Sequence, residues 1–344
     1  MPFKQIASPD ARYLASTDIL IGDMSDINYE FLLYNRPIIL LANDWINSNW
    51  PDIGIKTSLY DIETAIERTL VGSDEFEDAR KEWLGQTIFE PYEDSSSRIL
   101  GIATEKSGLK SPKIVVIHGN SEVRRTNLQP LHEAAVRDDL SAEFIPFSYN
   151  NGDVNTVYFA AHFEDFNFKT GYKIHLDHGL KGKGAANVEM SVEDYKIHNY
   201  FPQIDLHITA GEHGNNRTRM QLGPNAGRAV IGGYPKADHL LQCDTIETKE
   251  AVFRELKFDL DKPLITYASA GPLSYAKPGG SFCPEVIDKL KDVSENLNVN
   301  ILIKLKYSKP PIFVRAIDKF RRKYNRLLSV NFFLMLTMLL NFNE

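Results

Sequence analysis

Along this chain, short unbroken apolar runs alternate with stretches in which apolar residues recur every three or four positions. The runs have the pattern of strands buried on both faces, and the periodic stretches that of amphipathic helices. Their alternation predicts parallel α/β layers. Strands are expected at 18–21, 37–41, 113–118, 143–147, 156–159, 172–176, 206–209, 228–231, 263–268 and 298–305. Helices are expected at 25–34, 60–70, 74–84, 94–102, 123–137, 248–256 and 284–296, and the polar stretch 104–112 reads as a linker.

These elements group into three blocks, 1–105, 111–245 and 255–325, followed by an apolar tail at 327–344. The middle block has the elements of a complete Rossmann-like domain. Each outer block has those of half a domain, and half a parallel sheet cannot easily bury both its faces. Either the outer halves complete each other in space, as in a permuted chain, or the chain is a fragment of a larger tandem protein.

Composition agrees with a globular protein of two domains: 344 residues, 43% hydrophobic and 25% charged. The net charge of −7 argues against non-specific nucleic-acid binding. Cys243 and Cys283 have neither metal-ligand spacing nor a disulfide framework, so a reducing, cytoplasmic setting is expected. Met1-Pro2-Phe3-Lys4 carries no apolar signal-peptide core. Residues 327–342 are largely apolar but fall short of the roughly 20 residues that span a bilayer. Residues 313–326 before them hold six Lys/Arg and one Asp. A basic helix leading into an apolar segment suits peripheral contact of 313–342 with the inner face of the cell membrane. The competing readings are a buried helix and a non-native tail.

The densest chemistry follows the strand at 172–176, where Asp177-His178-Gly179-Leu180-Lys181-Gly182-Lys183-Gly184 puts a histidine, two lysines and three glycines into one loop. Ligands of open α/β sheets bind at the carboxyl ends of strands. His178 is thus a candidate general base, with Gly179 allowing close approach and Lys181 and Lys183 offering charge to phosphate. The alternative for His178 is a structural bond to a nearby carbonyl. His175, three residues earlier, is expected to be structural. Asp23-Met24-Ser25-Asp26 lies at a strand-to-helix junction, where free amides and a serine hydroxyl bind phosphate or where Ser25 or Asp26 simply caps the helix. In Gly232-Gly233-Tyr234-Pro235-Lys236-Ala237-Asp238 a turn starts a helix and presents Lys236 as a phosphate contact. His118 ends the first strand of the middle block, facing the same cleft or lying in a solvated loop. Glu212 to Arg217 is a weaker candidate for a polar pocket wall. The chain contains no Walker loop, GxGxxG, GxSxG or HExxH.

Taken together, these segments resemble the CDP-glycerol glycerophosphotransferases of teichoic-acid and related polymer synthesis. His178-Gly179 with Lys181 and Lys183 resembles the family's His-Gly-x-x-x-Lys loop. Gly233-Tyr234-Pro235-Lys236-Ala237-Asp238 is similar to its Gly-Tyr-Pro-Arg-x-Asp turn. Residues 15–25 resemble its phosphate-binding strand end, 35–39 the strand after it, 89–99 its closing helix, and 263–268 the strand that opens its nucleotide-binding domain. The likeness covers most of residues 10–305, in the order end and then beginning. Asp26 replaces a second serine, and Lys306-Tyr307 stands where the family has His-Pro.

The resemblance implies two Rossmann-like domains in the GT-B arrangement with the active site between them. It implies transfer of glycerol-phosphate, or another polyol-phosphate, from a CDP-activated donor to a hydroxyl of a lipid-linked or polymer acceptor, with release of CMP. His178 would be the catalytic base. Gly179, Lys181, Lys183, Tyr234, Pro235, Lys236, Asp238, Asp23, Ser25, Asp26 and His118 would contact substrate. No tightly bound cofactor is implied and no protein metal ligands, though Mg2+ on the donor phosphates is compatible. A nucleotide-sugar glycosyltransferase or UDP-sugar 2-epimerase would share the architecture, and an inactive fragment or scaffold would keep the fold without the chemistry.

Overall fold

A computed structural model describes residues 3–6, 10–23, 25–42, 46–47, 50–119, 122–146, 152–161, 165–166, 168–177, 204–269 and 284–304. The expected site residues His178, Gly179, Lys181 and Lys183, Cys283, and the segment 313–342 lie outside the described residues. Among the described residues no helix is long and apolar enough to cross a membrane.

The chain is α/β, with two six-stranded sheets that are parallel throughout and flanked by helices, as in two Rossmann-like domains. The first sheet takes strands from both ends of the chain: β1 (Phe3–Ile6), β2 (Ile19–Gly22), β3 (Ile38–Leu41), β4 (Ile55–Thr57), β11 (Leu264–Ala268) and β12 (Asn300–Lys304). They lie in the order β1-β12-β11-β2-β3-β4. Counted from β11 through β12 and then β1 to β4, that order is 3-2-1-4-5-6, the order of doubly wound dinucleotide-binding sheets. Chain-distant parts meet at two pairs, β1–β12 and β2–β11, the second with Ile265 opposite Ile19. Below it the Thr17 and Thr266 hydroxyls are 2.6 Å apart in the interior.

Both faces of this sheet are covered, which is why its strands read as apolar runs rather than alternations. Ile19, Ile21, Ile39, Tyr267, Ile301 and Ile303 pack against α3 (Ile62–Val71) and α10 (Pro284–Asn296). Leu20, Ile38 and Leu40 face the other way, toward α1 (Ala11–Ala15) and α2 (Ile27–Phe31). One end of the sheet is closed by α9 (Ile246–Leu256). Its first turn is capped by Thr245, whose hydroxyl accepts the Thr248 amide at 3.2 Å, and it buries Val252, Phe253 and Leu256.

The second sheet holds β5 (Lys113–Ile117), β6 (Ala142–Ile145), β7 (Thr156–Ala160), β8 (Tyr172–Leu176), β9 (Leu206–Thr209) and β10 (Ala229–Ile231), in the order β10-β9-β8-β7-β5-β6. Ile114, Val116, Val157, Phe159, Ile174 and Ile208 pack against α5 (Ser95–Ser107) and α6 (Glu122–Arg137). The opposite face carries α7 (Glu212–Leu222), and there Val115, Ile117, Tyr158 and Ala160 meet Phe166, Phe168 and Leu222.

Three features depart from expectation. The stretch expected as a linker from 104 is helical to Ser107, ending on Gly108 in the left-handed region (φ 64°). The boundary expected at 105 therefore falls inside α5, whose Ile99, Leu100 and Ala103 belong to the core of the second sheet. Conversely α8 (Pro235–Gln242), which follows β10 of the second sheet, buries Ala237 and Leu240 in the core of the first. Each sheet thus lends a helix to the other, and the Tyr34 hydroxyl donates to the Leu240 carbonyl at 3.0 Å across that contact.

Candidate functional site

In doubly wound sheets the ligand crevice opens where neighbouring strands connect in opposite directions. For the first sheet that point lies between β11 and β2. The residues there are Ser269, after β11, and Asp23 to Asp26, after β2. Gly22 is required at this turn, because a Cβ on it would stand 1.9 Å from Asn28 Oδ1. Asp23 is fully buried; its Oδ1 accepts the Ser25 amide at 3.0 Å and its carbonyl accepts Asn28 Nδ2 at 2.5 Å. The Asn28 amide donates to the Ser25 carbonyl, and the Tyr29 and Glu30 amides to that of Asp26. Asp23 therefore folds the strand end back on itself, holding one amide that an incoming oxyanion would otherwise take. Asp26 occupies the N-cap position of α2 without a side-chain cap bond. The half-buried Ser25 keeps its hydroxyl for other use. The buried hydroxyl of Ser269 and Asn28 Oδ1 have no hydrogen-bond partner among the described residues.

Helix α2, which starts at this strand end, is clamped to the turn after β10. Glu30 Oε1 accepts from the Tyr234 hydroxyl at 2.9 Å and from Lys236 Nζ at 2.8 Å, and Glu30 Oε2 accepts from Lys236 at 2.7 Å. Lys236 and Glu30 side chains are each only 12% exposed. The expected phosphate contact Lys236 is thus an internal partner of Glu30, because two buried opposite charges at this distance satisfy each other. Tyr234 is buried too, and burial followed by the neighbouring Glu30 pushes its hydroxyl well above the ordinary tyrosine range. Pro235 is the first residue of α8, where its missing N–H costs no bond.

Asp238 was expected at the substrate and instead caps a distant helix. Its two oxygens accept the backbone amides of Ser95 and Ser96, at 2.8 and 2.9 Å, at the start of α5. Arg98 of the same helix donates to the Gly232 carbonyl at 2.8 Å. Gly233 adopts φ 103°, and a Cβ there would lie 2.5 Å from Arg98 Nη2 and 2.6 Å from Ser95 Oγ. The Gly-Tyr-Pro turn is therefore an internal joint: one side holds α2 and the other holds α5.

His118 follows β5, where β6 and β7 lie on either side of it, the corresponding reversal in the second sheet. Its ring sits 4.5 Å from that of Phe144, and its Nδ1 is buried with no hydrogen-bond partner among the described residues. Two strand spacings away, about 10 Å, β8 and β9 end in a cluster that sequence reasoning missed. The register places His175 directly opposite His207. Their Nδ1 atoms are 3.2 Å apart, and His207 Nε2 lies 3.2 Å from Asp177 Oδ1. Both rings are buried and Asp177 is partly exposed. Burial alone would raise the Asp177 carboxyl, but the His207 charge and bond, with His175 and Arg217, outweigh it and hold the group below the usual carboxylate range.

The expected pocket wall 212–217 is the first part of α7, which lies over this cluster. A Cβ on Gly214 would be 3.5 Å from Asp177 Oδ2. Arg217, one turn on, has Nε and Nη1 buried without an acceptor among the described residues. Donor atoms of His175, Asp177 and His207 all fall within 4.8 Å of one another, a spacing that can hold a metal ion. The legible signal was two strands that each carry a histidine; their alignment required the pairing.

No protein-family model, curated protein or solved structure matches this chain. The functional reading therefore rests on the residues and on the geometry above.

Proposed function

We propose that this chain is a GT-B-type transferase that moves glycerol-phosphate, or another polyol-phosphate, from a CDP-activated donor to an acceptor hydroxyl. The acceptor oxygen attacks the phosphorus that carries the polyol, the bond between the two donor phosphates breaks, and CMP leaves. The observation that carries the reading is the Glu30 clamp. It ties the strand end at Asp23 to Ser25, at the ligand-binding reversal of the first sheet, to the turn at Gly232 to Tyr234 of the second. Two of the segments that resemble the transferase family, about 200 residues apart in the chain, are neighbours in space, as a cleft between two domains requires.

In this reading Ser25 donates its hydroxyl to a donor phosphate. His178 takes the acceptor proton, and Lys181 and Lys183 oppose charge that grows on the phosphoryl oxygens. Tyr234, Lys236 and Asp238 act by fixing the two sheets relative to each other rather than by touching substrate. A lipid-linked acceptor and peripheral membrane contact through 313–342 belong to the same proposal.

The test is CMP release from CDP-glycerol by the full chain, given a glycerol-phosphate or lipid-linked acceptor, beside His178→Ala and Ser25→Ala. CMP release that His178→Ala abolishes, with a raised KM in Ser25→Ala, is expected. Tight CDP-glycerol binding without release would favour an inactive relative, and absence of both would overturn the reading.

A further inference from the structure

The cluster at the ends of β8 and β9 has a donor set that the transferase reading does not use. We propose that His175 and His207 bind a divalent transition-metal ion of the Zn2+ class through their Nδ1 atoms, and that an oxyanion on this ion is held by Arg217.

The geometry of the two rings comes first. A tetrahedral ion with nitrogen ligands at about 2.0–2.1 Å has its nitrogens about 3.3 Å apart. The two Nδ1 atoms are 3.2 Å apart, close to that spacing. Adjacent parallel strands fix this approach, since His175 and His207 are register partners. Only one of two such facing nitrogens can carry a proton, and the ion takes the place of that proton.

Asp177 supplies what an imidazole ligand usually has behind it. Its Oδ1 lies 3.2 Å from His207 Nε2. A carboxylate at that position accepts from the Nε2–H tautomer, in which Nδ1 is the nitrogen that coordinates. Imidazole nitrogens select zinc, cobalt or nickel over magnesium and calcium, which prefer oxygen. The Mg2+ compatible with a nucleotide donor is therefore a different ion from this one.

Charge then calls for an anion. A dication with neutral imidazoles, the Asp177 carboxylate and the Arg217 guanidinium sums to a net positive site under α7. Buried charge of this kind is stable only when compensated. Arg217 lies one turn along α7 from Gly214, where a Cβ would be 3.5 Å from Asp177 Oδ2, and has two buried N–H groups without acceptors among the described residues. An oxyanion such as phosphate, completing the ion's coordination, neutralises the site and accepts from Arg217.

The inference stands apart from the transferase reading, because it is tested by binding and not by turnover. Full-length chain is freed of metal with a chelator and titrated with Co2+ while the visible ligand-field bands are followed, with and without inorganic phosphate. One equivalent with the intense bands of a tetrahedral site is expected. His175→Ala and His207→Ala should abolish it, and Asp177→Asn should weaken it about 10- to 100-fold. Phosphate should tighten Co2+ binding in the wild type and have no such effect in Arg217→Met. X-ray absorption on the Zn2+-loaded wild type, which needs no variant to fold, should show scattering from two imidazoles. Failure to bind Co2+ or Zn2+, retention of binding in both histidine variants, or absence of imidazole scattering would overturn the metal site. Indifference to phosphate would overturn the oxyanion.

Discussion

Replacing Lys236 by alanine should destabilise the whole protein, because Lys236 and Glu30 are a buried pair that joins the two sheets. Both side chains are 12% exposed, and both ammonium–carboxylate contacts are under 3 Å. Removing Lys236 leaves the buried Glu30 side chain with, among the described residues, only the Tyr234 hydroxyl to accept from. Breaking a buried pair in this way costs about 3–5 kcal/mol. At ~2 °C per kcal/mol for a chain of this size, the melting temperature should fall by about 6–10 °C. Replacing both partners, as in Glu30→Gln with Lys236→Met, should recover much of that loss, since neutral groups of similar volume carry no uncompensated charge. The assay is urea unfolding of wild type, Lys236→Ala, and the cycle of Lys236→Met, Glu30→Gln and their double variant, followed by circular dichroism and by tryptophan fluorescence. The coupling from this cycle is the quantity of interest. A Lys236→Ala variant within about 0.5 kcal/mol of wild type would refute the argument that the clamp holds the two sheets together.

Two further predictions follow from internal bonds. Asp238→Ala orphans the Ser95 and Ser96 amides at the start of α5 and should cost about 1–3 kcal/mol by urea unfolding, with Asp238→Asn costing less because one acceptor oxygen remains. The Tyr13 hydroxyl donates to Glu255 at 2.6 Å; burial first, and then that bond, push it up to about 12 from an ordinary 10.0. A raised folded value means that the neutral form is favoured on folding. Its stabilisation is complete below pH 10 and is lost as pH rises through about 12. Melting curves across that window should fall less steeply for Tyr13→Phe than for wild type, and parallel curves would contradict the assignment.

The α/β class and most elements were legible because strands buried on both faces appear as apolar runs and the helices between them show a helical period. Tyr172–Leu176, Leu206–Thr209 and Pro284–Asn296 were readable to the residue. The short β1 and β4 were not, since Lys4-Gln5 and Lys56 interrupt the apolar run there. Helix α7 was missed because Glu212–Leu222 is polar along nearly its whole length and covers a patch of sheet rather than filling a core. The candidate site was legible in part. Asp23 to Ser25 and the Gly-Tyr-Pro turn were singled out by residue type, yet Lys236 and Asp238 look the same in sequence whether they meet a phosphate, a carboxylate or a helix end. The difference lies in Glu30 and in Ser95, about 200 and about 140 residues away in the chain.

The sequence by itself determined local matters: where strands and helices form, that the sheets are parallel, and that Gly232-Gly233-Tyr234-Pro235 turns the chain into a helix. Only the tertiary structure decided which distant groups meet. It paired β2 with β11 into one sheet, set Lys236 on Glu30 and Asp238 on α5, and aligned His175 with His207 beside Asp177. The physical reason is that backbone period and turn chemistry act over a few residues. Charge compensation and ligand geometry depend on distances between side chains that only strand order and register set.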